Sequence, residues 1–158
     1  MYQHIIAAVD GSPHADRALL QAGQLALLSH AHLTLVHITN LQELAHVDVE
    51  STTAPVLHER AHQRGLDILE QAQNRLRAQV EIESHLHIGE SWQGRRDMAA
   101  VLVKFANAHD ADLIVLGTHG RGGLLHMLMG NFAENVMRIA SCPLLIVQSA
   151  VHPKEGDA

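Results

Sequence analysis

Gly117–Asn131 reads GTHGRGGLLHMLMGN, and the apolar run Asp112–Leu116 (DLIVL) leads straight into it. A buried strand that breaks at glycine and resumes as a helix is a unit of a parallel α/β sheet. Gly120, Gly122 and Gly123 admit positive φ and let backbone N–H groups approach an anion closely. Gly130-Asn131 opens the next helix, and Asn131 with Glu134 three residues later has the spacing of a capping box. That helix end adds unpaired N–H groups and the positive end of a dipole. Between Gly117 and Ala133 there is no carboxylate, whereas His119, Arg121 and His126 are present. An anion there meets only donors, which points to a phosphate cradle and a bound nucleotide. The plainer alternative for the glycine segment alone is a turn followed by an ordinary capped helix. The segment is not a GxxxxGK[ST] loop, and no GxGxxG follows the first strand.

Upstream, His4–Val9 (HIIAAV) is a short apolar strand buried on both faces, ending at Asp10-Gly11. Ser12 then caps a helix with Pro13 at its first position, and Ala18, Leu19, Ala22, Leu25 and Ala26 mark its buried stripe through Leu28. His32–Ile38 (HLTLVHI) is a second strand, residues 39–54 a surface connection, and Pro55–Arg77 a long amphipathic helix. Val80–Ile88 (VEIESHLHI) alternates apolar and polar, as a strand with one exposed face near a sheet edge does. Gly89–Arg96 reads as a loop and Asp97–Asn107 as a short helix. Beyond the glycines, Asn131–Ala140 is a helix and Pro143–Gln148 a last strand. Strands alternating with helices imply right-handed crossovers and one parallel sheet covered on both faces. The expected organisation is a single domain over residues 1–150 with a polar, frayed tail at 151–158.

Composition narrows the function. The 158 residues are 47% hydrophobic but only 3% aromatic, so aliphatic side chains build the core and no stacking platform for single-stranded nucleic acid exists. With 17 acidic against 11 basic residues and no Lys/Arg block, general nucleic-acid binding is excluded. Cys142 is the only cysteine, which rules out an intrachain disulfide or an all-cysteine metal site. It has no positive group or base adjoining it in sequence, as a packed residue rather than a nucleophile would. The start, MYQHIIAAVDGS, lacks the basic and apolar regions of a signal peptide, and no apolar run approaches the ~20 residues that span a bilayer. A cytoplasmic protein without membrane insertion is expected.

Taken together, the blocks resemble the universal stress protein family. Gly117-Thr118-His119-Gly120, nine further residues and Gly130 are similar to its G-x2-G-x9-G-(S/T) nucleotide signature. AAVDGS, LTLVHI, ADLIVLGTHGRGG and ASCPLLIVQ follow in the family's order over nearly the whole chain. The resemblance implies an open five-stranded parallel sheet of order 3-2-1-4-5, an adenine-nucleotide alpha-hydrolase-like fold, and a homodimer formed through the last strand. It implies ATP or another adenine nucleotide, with Mg, at the carboxyl ends of the strands. By the resemblance the phosphates lie on the backbone of Gly117, Thr118, His119, Gly120, Arg121, Gly122 and Gly123, completed by Gly130, Asn131 and Phe132. Asp10 would contact the ribose or the metal ion, and Ala8 and Ile38 the adenine. Asn131 replaces the family's Ser or Thr; its amide can cap the helix and still donate to a phosphate. The Gly89–Arg96 loop, with the lone Trp92, is longer than the family norm, and no function follows from it.

His58-Glu59-Arg60-Ala61-His62 is a literal HExxH, with Gly65 following. The two histidines would share a helix face and could contact a metal. The next ligand position of the longer pattern holds Ile68, so no zinc protease is expected, and metal bound there would be incidental. His30, His32 and His37 mark the second strand, and His85 and His87 share a face of the third. The expectation is a solvated or hydrogen-bonded histidine face rather than a metal or pH-sensing cluster.

Three functions compete. The first is an ATP-binding dimeric regulator of stress or metabolic response acting on a partner protein. The second is a slow ATPase or phosphoryl- or adenylyl-transfer enzyme, for which only Asp10, His119 and Arg121 are at hand. The third is a nucleotide-free dimeric interaction module, for which Asn131 is the hint. No catalytic residue is assigned.

Overall fold

A computed structural model of the chain describes residues 1–41, 44, 53–76, 80–89, 95–118 and 129–148. The elements, in chain order, are β1 (His4–Ala8), α1 (Pro13–Ser29), β2 (His32–Asn40), α2 (Ala54–Leu76), β3 (Ile82–Gly89), α3 (Arg95–Ala108), β4 (Leu113–Gly117), α4 (Asn131–Ile139) and β5 (Leu144–Val147). All strand pairs are parallel, in the order β3-β2-β1-β4-β5.

Strand period divides the core in two. Ile5, Ala7, Leu33, Leu35, Leu113 and Val115 pack under α1 and α2, with Ala18, Leu19, Ala22, Ile68, Leu69 and Ala72. The alternate residues Ile6, Val36, Ile114 and Leu116 pack under α3 and α4, with Leu102, Ala106, Ala133 and Val136. Two covered faces explain why β1 and β4 read as unbroken apolar runs. β3, with apolar and polar residues alternating, lies at one edge, and β5 at the other.

Local signals set α1. Ser12 Oγ accepts the Ala15 N–H at 3.2 Å, Pro13 opens the helix, and His30 closes it in the left-handed region at φ 54°. At the base of the sheet both carboxylate oxygens of Asp112 accept backbone N–H groups, Gln3 at 2.7 Å and His4 at 3.1 Å, tying β1 to the start of β4.

Several sequence boundaries move. β2 runs on to Asn40 because Thr39 and Asn40 pair with Ile88 and Gly89 of the edge strand, so ladder pairing overrides the polar side chains expected to start a connection. β3 starts at Ile82 rather than Val80, and Val80 packs on the core instead. The expected loop 89–96 loses both ends: Gly89 joins β3, and Arg95 and Arg96 open α3. Trp92 and the tail at 151–158 lie outside the described residues.

Candidate functional site

The chain passes from β1 to β2 on one side of the sheet, whereas β4 lies against β1 on the other. The carboxyl ends of β1 and β4 therefore flank a topological switch point, the place where open α/β sheets bind ligands. Ile5, Ile6 and Ala7 pair with Leu113, Ile114 and Val115. That register brings the residues after β1, Asp10-Gly11-Ser12, to the same end of the sheet as Gly117-Thr118.

Each of these turns is built by short-range bonds. Asp10 Oδ1 accepts the Ser12 N–H at 2.8 Å, closing an Asx turn. Gly11 sits inside it at φ 76°, where a side chain is disfavoured. Val9 N–H donates to Val36 O at 2.9 Å, and His37 Nδ1 donates to Val9 O at 2.7 Å, one residue before Asp10. His37 is buried, and its Nε2 meets Thr39 Oγ1 at 3.0 Å. Sequence reasoning missed this brace: it took His37 as one of a histidine face, and the bond joins residues 28 apart.

On the other side, Gly117 ends β4 and Thr118 is buried. Thr118 N–H donates to Val147 O of β5 at 3.0 Å, and Thr118 O accepts the Gly130 N–H at 2.6 Å. The segment between is therefore closed at its root by one backbone bond. His119, Gly120, Arg121, Gly122 and Gly123, the middle of the expected cradle, lie outside the described residues.

The capping of α4 differs from expectation. Gly130, at φ −72° and ψ 160°, is the N-cap, Asn131 is the first helical residue, and no side-chain cap bond forms. The Glu134 N–H goes to Gly130 O at 3.0 Å, and the Glu134 carboxylate goes to Arg138 at 2.7 Å. Asn131 is thus not the capping-box residue: starting the helix one residue earlier puts Ala133 at the box position, and Glu134 pairs one turn on instead. The first-turn N–H groups are left without a side-chain cap from Gly130, as an anion site needs. Phe132, in that turn, is half-buried against the core under α3 and α4.

Ala8 and Ile38 are half-buried and pack on that same core. With Asp10, Gly117, Thr118, Gly130, Asn131 and Phe132, they are the described members of the expected site.

The other motifs separate from it. His58, Glu59 and His62 are exposed on α2, while Leu57, Ala61 and Ile68 turn inward. Glu59 accepts from Gln63 at 3.3 Å, and the third-ligand position is a buried isoleucine. Among the described residues no group of three or more His, Cys, Asp or Glu side chains could hold a metal ion. The histidines do not make one face. His32 lies beside Glu81 at 3.3 Å, His37 is buried on the α2 side, and His85 stacks on Phe105 on the α3 side. Burial raises the Cys142 thiol above its ordinary value of 9.0, and the Asp112 carboxylate adds to the rise against opposing backbone hydrogen bonds. Its side chain packs on the core under α3 and α4, and no nucleophilic role is assigned to it.

Known proteins share this fold. A universal stress protein of Thermus aquaticus is 31% identical over 150 residues, covering 94% of this chain and 100% of that one. A universal stress protein solved in complex with cAMP superposes with a TM-score of 0.64 at 28% identity, covering 93% of this chain and 97% of that one. One from Archaeoglobus fulgidus, solved in complex with dAMP, gives 0.62 at 25% identity, covering 92% and 98%. The universal stress protein family model matches residues 1–148, which take in every strand from β1 to β5. With a match that runs through all five strands of the sheet, the chain belongs to the universal stress protein family.

Proposed function

We propose that this chain binds an adenine nucleotide, ATP foremost, at the carboxyl ends of β1 and β4, and acts as a dimeric regulator in the cytoplasm. The observation that carries the reading is the switch point itself. The Asp10 turn and the Thr118–Gly130 closure flank it, and a helix start with no side-chain cap among the described residues adjoins it. Relatives solved with cAMP and dAMP support an adenine nucleotide as the ligand class.

In this reading Asn131 and Phe132 offer first-turn backbone donors to the phosphates, together with His119, Gly120, Arg121, Gly122 and Gly123, while Gly117, Thr118 and Gly130 shape the cradle, the Thr118 and Gly130 N–H groups being taken up by Val147 O and Thr118 O. Ala8 and Ile38 line the base, and Asp10 meets the ribose or a Mg ion. One carboxylate fits Mg, which is held mainly by phosphates and water with one or two protein carboxylates. No step of chemistry is assigned, and the domain spans 1–150 with 151–158 as a tail. The regulated partner is a protein.

Mass identification of nucleotide carried through purification, with isothermal titration of ATP, tests the reading. Bound adenine nucleotide is expected. Gly130→Val should abolish binding while far-ultraviolet circular dichroism stays that of the parent. No binding at millimolar ATP would overturn it.

A further inference from the structure

The α3 side of the sheet holds a row of rings that the nucleotide reading does not use. Phe105 of α3 stacks on two imidazoles. His85 of β3 lies at a centroid distance of 4.3 Å and 25° between planes, and His109, just past the helix, at 4.0 Å and 27°. His109 meets His4 of β1 edge-on at 6.5 Å.

Hydrogen bonds set the protons. A carbonyl can only accept, so Nδ1 carries the hydrogen in both His109, which donates to Phe105 O at 2.8 Å, and His4, which donates to His109 O at 2.8 Å. Neutral His4 then accepts from the buried Thr34 hydroxyl at its Nε2, 2.8 Å away. The row ties α3 to β1 and β2 at one end and to the edge strand β3 at the other.

The two ends differ in their surroundings. His4 Nε2 meets the Thr34 hydroxyl, which can serve as donor or acceptor, and the Asp112 carboxylate lies at its own backbone. His85 has no such hydrogen bond or carboxylate among the described residues. Burial lowers its affinity for a proton from the ordinary value of 6.5, and the charges of His87 and His109 lower it further. Of the other charged groups, Glu83 shares its face of β3 and is exposed, Lys104 on α3 is exposed, and Asp110 follows His109 in the chain. The facing residues of β1 and β2 are His4, Thr34 and the apolar Ile6, Val36 and Ile38. Phe105 can stabilise one imidazolium on its ring by cation–π attraction. Two imidazoliums on the same ring repel each other.

We propose that the His85–Phe105–His109 stack is an acid-released clasp, which holds α3 against β3 while its imidazoles are neutral and lets go when both are charged. The sign follows from linkage. His85 binds a proton more weakly folded than unfolded, so its contribution is complete above 6.5 and declines as pH falls from there through the lowered folded value.

Hydrogen exchange of the full chain without nucleotide tests this independently of any ligand. From about pH 7.5 to about pH 5.5, spanning the ordinary histidine range, protection of the α3 amides should fall several-fold after correction for intrinsic exchange. His85→Phe keeps a stacked ring that cannot titrate, and should hold protection constant. His62→Gln, exposed on α2, should keep the parent's fall. A pH-independent α3, an unchanged fall in H85F, or a fall lost in H62Q would each overturn the clasp. In the parent chain, NMR titration should place the His85 ring below the ordinary value of about 6.5, and a midpoint at or above it counts against the proposal even if H85F does not fold.

Discussion

Gly11 shows how one residue joins local conformation to the site. At φ 76° it lets the chain leave β1, turn through the Asp10–Ser12 bond and enter α1 within four residues. A Cβ in the left-handed region costs roughly 1–2 kcal/mol. Gly11→Ala should therefore lower unfolding free energy by about that amount in a urea titration. If Asp10 serves the nucleotide as proposed, ATP affinity should fall as well, because the turn that aims its carboxylate is the part strained. An alanine variant as stable as the parent would show that the turn relaxes to negative φ.

Helix α2 meets β3 through Gly65. A Cβ there would overlap Leu86 Cδ1, and would lie 3.0 Å from Leu86 Cδ2 and 3.3 Å from His37 Cδ2. Overpacking typically costs about 1–3 kcal/mol, and alanine's better helix propensity returns up to about 1. Gly65→Ala should destabilise by roughly 1 kcal/mol, with Leu86 as the cause. The double variant with Leu86→Ala should then be no less stable than Leu86→Ala alone; additive losses would place the strain elsewhere.

At this scale the sequence was informative about elements and weaker about their ends. Apolar runs and helical stripes placed all nine described elements, since buried faces leave a periodic trace. Thr39, Asn40 and Gly89 looked like loop, yet they pair, because a ladder with a neighbouring strand is a long-range choice that no window of sequence contains. The same limit hid Gly130 as the true cap and the bond from its N–H to Thr118 O. The turn at Asp10-Gly11 was visible because a tight turn demands particular residue types. The brace from His37 to Val9 was not, since it joins residues 28 apart.

Across the whole molecule the open question is the β5 edge. Ile114 N–H donates to Pro143 O, and Thr118 N–H to Val147 O, both at 3.0 Å. By strand alternation the backbone groups of residues 143, 145 and 147 turn toward β4, and those of Leu144 and Ile146 turn outward. Leu144–Val147 is short and half-buried, an apolar edge of the kind that pairs with another chain. The proposed dimer uses this edge. Ile146→Pro removes an outward N–H and leaves the bonds to β4, so light scattering should read a monomer with the parent's circular dichroism. A dimer that survives the proline would put the contact on another surface.

The closure between Thr118 and Gly130 has an architectural consequence. Because a backbone bond joins Thr118 directly to Gly130, β4 and the start of α4 are tied to each other at that point. Doubling the span of a flexible loop costs only about 0.6 kcal/mol. The scaffold can thus accept a longer, shorter or wholly different segment between these two residues while β4 and α4 keep their places. Ligand preference can then diverge among descendants of one fold by exchange of a single cassette.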